Sequence, residues 1–164
     1  MQVQKATLDQ IDEILKIYEG ARRFMRDQGN PTQWQGGYPY PEVVADDIEK
    51  GQLYVLCEGK ELYGVFAFIQ KEDPDYARIE GAWLNSLPYA AIHRVASAGK
   101  RGGIVAACVE YCLGFINNIK IDTHEDNIPM QKSLERIGFC RCGKVNIARA
   151  GERIAYQLYR PKSN

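Results

Sequence analysis

The chain has 164 residues, of which 45% are hydrophobic and 26% charged, enough apolar material for one sizeable core, so it reads as a single domain spanning residues 1–164. Basic and acidic side chains balance at 21 each, which argues against a nucleic-acid-binding stripe and against an acidic disordered tail. No apolar run approaches the roughly 20 residues of a membrane-crossing helix, and "MQVQKATLDQ" lacks the cationic start and apolar core of a signal peptide. The expected location is therefore cytoplasmic, with neither membrane nor nucleic acid as a partner.

Residues Gln2 to Ala6 read as a short strand. The following segment carries Leu8, Ile11, Ile14, Leu15, Tyr18, Ala21 and Met25 at helical spacing, with Thr7 or Asp9 as cap and Gly29 as stop. "NPTQWQGGYPYPEVV" is a loop with large rings: Trp34, Tyr38 and Tyr40 pack either on the core or on a ligand. A brief helix from Glu42 to Lys50 precedes two strand-like runs joined around "EGKE" as a hairpin. "EDPDYARIEGAWLNSLPY" holds either a strand near Ile79 or a structured loop. "AAIHRVAS" is a strand, a helix runs on to about Phe115, and "NIKIDTHEDN" is a strand entering an acidic loop. Pro129 opens a helix that Gly138 closes, and two final strands flank "ARAGE". This order implies an α/β sheet with helices on its faces.

Five cysteines, odd in number and without a paired CxxC pattern, argue against a disulfide framework and against structural zinc. Cys108 and Cys112, four apart on a helix, read as small buried apolar groups. Asp122 and His124 alternate onto one strand face, but no third ligand has matching spacing, so no metal is expected. The acidic run rims a site for a cationic acceptor or caps the next helix.

The strand-to-helix turn "RVASAGKRGGIVAACVEYC" from Arg94 to Cys112 carries the clearest chemical signal. The amides of Arg101, Gly102, Gly103, Ile104, Val105 and Ala106 sit at a helix start, where N–H groups are unpaired and the dipole is positive. Two glycines allow close approach, and Lys100 and Arg101 add charge. The expected guest is a phosphate; the alternative is a solvent-exposed chain reversal.

That turn, together with "IDTHEDNIPMQKSLERIGF", "QWQGGYP" and "IHRVAS", resembles the GNAT N-acetyltransferase superfamily, and in particular small bacterial members of it. The resemblance implies an α/β fold with a mixed, mostly antiparallel central sheet and helices on both faces. It also implies acetyl-CoA as cofactor and direct acetyl transfer to the amine of a small molecule or a protein amino group. With Gly102 as the central glycine of the family's phosphate motif, the flanking positions are Gly99 and Ile104; shifted by one, they are Lys100 and Val105. By the same resemblance, a backbone N–H of Val95 or Ala96 meets the thioester oxygen, and Asn127 contacts the pantetheine arm or a water, unless it caps the helix instead.

Glu80 is the first choice of general base and His93 the second, set against readings as a surface acid and a sheet histidine. The family's usual thiolate acid, a Tyr about seven residues past the Asn, is Leu134 here, leaving Tyr111, Tyr89, His124 or water. On the same resemblance, Trp34, Tyr38, Tyr40 and Glu80 would shape an acceptor pocket with aromatic walls and few fixed charges, suited to a small amine or an amino-acid-like molecule. Two further readings stand beside the enzyme: a non-catalytic acyl-CoA-binding sensor of the same fold, and an unrelated dinucleotide-binding protein, weakened by the absence of an N-terminal GxGxxG. An exposed strand edge would be compatible with a homodimer.

Overall fold

In the computed structural model, which describes residues 1–162, eight strands form one sheet in the order β1-β2-β3-β5-β6-β8-β7-β4. The left half is β1 (Gln2–Lys5), β2 (Leu53–Glu58), β3 (Glu61–Ile69) and β5 (Ala90–Ser97). The right half is β6 (Asn118–Thr123), β8 (Gly151–Tyr159), β7 (Cys140–Ile147) and the two-residue β4 (Glu80–Gly81). Every pairing is antiparallel except β5 with β6. The mixed sheet expected from the sequence is the sheet observed.

β2 and β3 are apolar at nearly every position because both of their faces are covered. Leu53, Val55, Leu62 and Val65 enter a cluster under α1 (Ile11–Asp27) and α2 (Pro41–Glu49). Tyr54, Leu56, Phe66 and Phe68 enter another under α3 (Ile104–Leu113) and α4 (Ile128–Ile137). α1 offers Ile14, Ile17 and Tyr18 at helical spacing, and its expected first turn at Leu8 is a 3-10 turn, with Thr7 N–H donating to Gln10 Oε1. A third cluster of Tyr76, Ala91, Val145, Ile147 and Ala155 lies on the α1 face of the right half. No helix covers it; the segment from 70 to 89 does, pinned by Leu84 N–H to Gln157 Oε1 at 2.8 Å and by Asn118 Nδ2 to Asn85 Oδ1 at 2.9 Å. The strand expected near Ile79 is β4, which seats against β7 where Gly81 and Gly143 leave no room for a Cβ between the backbones.

Two irregularities create the site. The parallel β5–β6 ladder registers only Ala90 with Ile119 and Ala91 with Lys120. β5 continues to Ser97 and β6 to Thr123, so beyond those pairs the strands part and open a wedge in the middle of the sheet. Within β5, Ala96 pairs with Val65 but His93 with Ala67, so β5 carries one extra residue over that interval, a bulge with Arg94 at φ 51°.

Candidate active site

The bulge is fastened from two helices. Tyr18 Oη of α1 donates to the Arg94 carbonyl at 2.8 Å. The Arg94 guanidinium forks onto Asp47 of α2, Nε to Oδ2 at 2.7 Å and Nη2 to Oδ1 at 2.8 Å. Burial opposes the Arg94 charge, but the Asp47 carboxylate more than offsets it, and the pKa moves up. A non-glycine residue in the left-handed region is strained, and a buried bidentate ion pair is the kind of restraint that holds it.

A groove of about 910 Å³ runs along one side of the bulge, between α1, the start of α3 and the start of α4. Val95, Ala96, Lys100, Ile104, Val105 and Asn127, six of the residues expected at a cofactor, line it. Gly103 caps α3 in the left-handed conformation at φ 76°, which only glycine adopts freely. Arg101, Gly102, Gly103 and Ala106 do not line the groove. Arg101 is turned away: its guanidinium grips the Glu58 carboxylate and lies 4.3 Å over the Tyr63 ring. Lys100 is 3.4 Å from Glu61. The cations expected at the loop are thus partly claimed by the β2–β3 hairpin, and what remains for an anion is the helix start and exposed Lys100.

A second cavity of about 390 Å³ lies in the wedge on the α1 face, and the two spaces meet at Met25, Val95 and Met130. His93 stands in its wall. Its Nε2 is 2.9 Å from Asp73 Oδ2 and its Nδ1 is 3.8 Å from Asp122 Oδ2. Asp122 also accepts from Tyr76 Oη, a phenol whose pKa burial pushes well up. The His93 hydrogen bond holds the Asp73 carboxyl below the ordinary range; burial opposes this and the Asp75 N–H assists it. An ionised Asp73 accepts a hydrogen bond from the Nε2–H tautomer of His93, in which the Nδ1 lone pair is available.

Other expected residues fall differently. Glu80 is exposed on β4 at the outer edge of the sheet, opposite Lys144, and lines neither cavity; the topology places it away from His93. Asn127 is the cap of α4: Oδ1 accepts from Met130 N–H at 3.2 Å and Nδ2 donates to Gln33 Oε1 at 2.8 Å, which occupies both ends of the amide. Trp34 and Tyr38 serve core and cavity together, Trp34 edge-on to Tyr18 and both rings in the cavity wall. Tyr40 is exposed beside Tyr38 and lines neither cavity. Tyr111 packs with Tyr54, Phe66 and Phe115. Tyr89 Oη sits on the Asp73 backbone, and His124 is held between Thr32 Oγ1 and the Asp126 N–H. None of the three lines the groove.

The cavity is also more charged than the aromatic loop suggested, with Asp73, Asp75 and Asp122 facing Arg149 and Arg153. Of these, only Asp122 had a sequence signal, in the "DTHEDN" run. Cys108 and Cys112 are buried in the core; burial raises both thiols, Cys112 to about 12. Among the described residues no cluster of His, Cys, Asp and Glu could hold a metal ion, and no helix is long and apolar enough to cross a membrane.

The site is thus a mixed sheet opened by a wedge between two parallel strands, with a bulge on one and a helix start at its mouth. Neither a family model nor a curated protein matches the chain. Among solved structures, a GNAT-family acetyltransferase from Streptococcus agalactiae is 32% identical over 98% of this chain and 96% of that one, with a TM-score of 0.87. A GNAT-family acetyltransferase from Listeria monocytogenes is 19% identical, with 97% and 94% of the chains covered and a TM-score of 0.72. A ribosomal-protein-alanine N-acetyltransferase from Brucella melitensis is 15% identical, with 98% and 100% covered and a TM-score of 0.64. The last two share the fold. The chain belongs to the GNAT family of acetyltransferases.

Proposed function

We propose that the chain is an acetyl-CoA-dependent N-acetyltransferase that passes the acetyl group directly to an amine of a small molecule. The observation that carries this reading is the position of His93, held by Asp73 at the edge of one cavity, where that cavity joins a groove ending at a helix start. The groove suits the proposed guest: the open amides of α3 and exposed Lys100 at one end match a pyrophosphate, and Ile17, Val95 and Met130 give an apolar passage for a pantetheine arm. Bound there, acetyl-CoA would supply the activated acyl carbon.

The chain's own groups then have defined work. A backbone N–H of Val95, which lines both spaces, or of Ala96, which lines the groove, would meet developing oxyanion charge. His93 Nδ1 accepts the proton of the incoming ammonium, and the resulting imidazolium is balanced by Asp73 and Asp122. None of Tyr111, Tyr89 and His124 reaches the groove, which leaves water as the proton source for the departing sulfur.

His93→Gln keeps the Asp73 contact but removes the base. It should lower kcat by about 10²–10⁴-fold in a thiol-release assay with an amine panel, with acetyl-CoA affinity by calorimetry unchanged and NADH as the non-binding control. Full turnover in a folded His93→Gln protein would overturn the assignment. The second reading, a sensor that binds acyl-CoA without catalysis, is favoured by Leu134, buried in the core, at the usual acid position; binding without any thiol release would select it.

A further inference from the structure

Arg153 of β8 is 4% exposed and lines the smaller cavity, yet among the described residues no carboxylate forms an ion pair with it. Its guanidinium meets only carbonyls: Nη1 donates to Glu152 O at 2.9 Å and Ala150 O at 3.4 Å, and Nη2 to Gln33 O at 3.1 Å. A buried cation served by neutral acceptors alone is an expensive arrangement that an anion in the cavity would relieve. Burial pulls its pKa below the ordinary arginine range; nearby Asp122 opposes this and Arg149 adds to it. The contrast with Arg94, which lines the same cavity and is matched from behind by Asp47, is direct.

The sheet fixes where that cation lies relative to the base. Asp122 of β6 registers with Ala155 of β8, and Arg153 is two residues along β8 on the same face. Arg153 is therefore a diagonal cross-strand neighbour of Asp122, about 7–8 Å away along the backbone. Asp122 flanks His93 Nδ1. A second cation, Arg149, lies with its guanidinium 3.7 Å over the Tyr38 ring, which also walls the cavity. Asp75 lines the cavity too, and its Oδ1 accepts from Ala148 N–H at 3.4 Å. The cavity wall therefore carries Asp73 and Asp122 around the base and, a cross-strand diagonal away, the cations Arg153 and Arg149, with Asp75 beside Arg149 and with Trp34 and Tyr38 as apolar wall.

We propose that the acceptor is a free amino acid, taken at both ends: its ammonium between Asp73 and Asp122 beside His93, and its carboxylate on Arg153 with Arg149. This rests on the acetyl-transfer reading and narrows its acceptor class. A cavity of about 390 Å³ holds a molecule of that size. A simple amine would leave Arg153 unanswered, and a protein N-terminus would bring no carboxylate a few bonds from its amine. The transfer balances: the ammonium gives one proton to His93, the freed amino nitrogen forms the new C–N bond, the thioester C–S bond breaks, the nitrogen's second proton passes to water as the tetrahedral intermediate collapses and water returns one to the sulfur, so that the net loss is the one proton His93 hands to solvent.

The test compares common L-amino acids with amines of the same side chain lacking the carboxylate. Calorimetry is run with and without CoA, and thiol release is followed with acetyl-CoA. At least one amino acid should bind, with kcat/KM about 10- to 100-fold above its matching amine, the range of a charge-assisted contact. Arg149→Gln, an exposed change that spares the core, should narrow that ratio about tenfold through KM for the amino acid. Arg153→Met, which keeps the apolar stem and removes the charge, should abolish the ratio, with folding checked by circular dichroism. The proposal is overturned if no amino acid binds, if the amines match or exceed the amino acids, or if Arg149→Gln leaves the ratio intact. Amino-acid binding is read separately from acetyl-CoA binding. An amino acid that binds a protein with no affinity for acetyl-CoA would keep the binding site and sink acetyl transfer.

Discussion

Asp47→Ala should be among the most destabilising single changes in the molecule, although Asp47 touches neither cavity. The side chain of Asp47 is 3% exposed and that of Arg94 14%, so removing the carboxylate leaves a guanidinium buried with only Tyr38 Oη at 3.3 Å as a side-chain partner. Gln52 Nε2, which donates to Asp47 Oδ1 at 2.7 Å, is also orphaned. Breaking a buried pair from one side costs about 3–5 kcal/mol. For a chain of this length each kcal/mol moves Tm by about 2–4 °C, so thermal unfolding followed by circular dichroism should shift down by about 6–20 °C. Arg94→Met in the same background removes the stranded charge, and the double variant should recover about 2 kcal/mol relative to the sum of the single changes. It should still turn over poorly, because the bulge retains only the Tyr18 hydroxyl. A cost below about 1 kcal/mol for Asp47→Ala, or strict additivity in the cycle, would refute the idea that this pair secures the bulge.

Three further outcomes follow from the same geometry. Because Asp73 has its carboxyl pKa lowered in the native state, the unfolded chain binds more protons in acid; the stabilisation is complete above about pH 4 and disappears as pH falls from there through the native value. Denaturant titrations at pH 6 and pH 3 should show the wild type losing its lead over Asp73→Asn at the lower pH, and an undiminished lead would contradict the His93–Asp73 bond. Gly102→Asp adds a Cβ that meets nothing within 4 Å, so the protein should fold with Tm nearly unchanged while acetyl-CoA affinity drops about tenfold or more from the carboxylate set near phosphate; unaltered affinity would remove the α3 start as the anion site. Glu80→Gln, on an exposed edge strand, should leave turnover within about twofold; a large loss would restore Glu80 as base.

What could be read from the sequence is what local periodicity encodes. The α1 stripe, the helix after "GKRGG", Pro129 and Gly138 around α4, and the hairpin at "EGKE" each depend on residues within a few positions of one another, and each stands where expected. His93 was visible as a histidine on the strand leading into the anion loop. Its partners were not: Asp73 lies 20 residues away, and Asp122 arrives only because β6 pairs with β5 for two residues before the strands part. Arg101 departs from expectation for the same reason, since Glu58, 43 residues distant, holds its guanidinium. Arg94 looked like an ordinary strand residue; its left-handed backbone depends on an extra residue in β5, which no periodicity in either strand reveals. The edge position of Glu80 is not legible because a two-residue strand docked by Gly81 and Gly143 has almost no pattern of its own.

The seam between the two apolar clusters of the α1 face explains why the chemistry collects there. Helices α1 and α2 cover one half of that face and the segment from 70 to 89 covers the other; neither covers the wedge. Side chains rooted in the wedge are enclosed by their neighbours without being packed by a facing element, so charge is tolerated there provided it is answered. The two buried arginines divide on that criterion. Arg94 is answered within the chain by Asp47, and deleting the carboxylate should cost stability. Arg153 is answered only by carbonyls, so its missing anion has to come from outside. The same desolvation that makes the first pair a restraint on the bulge makes the second residue a receptor, and the difference between them is one carboxylate.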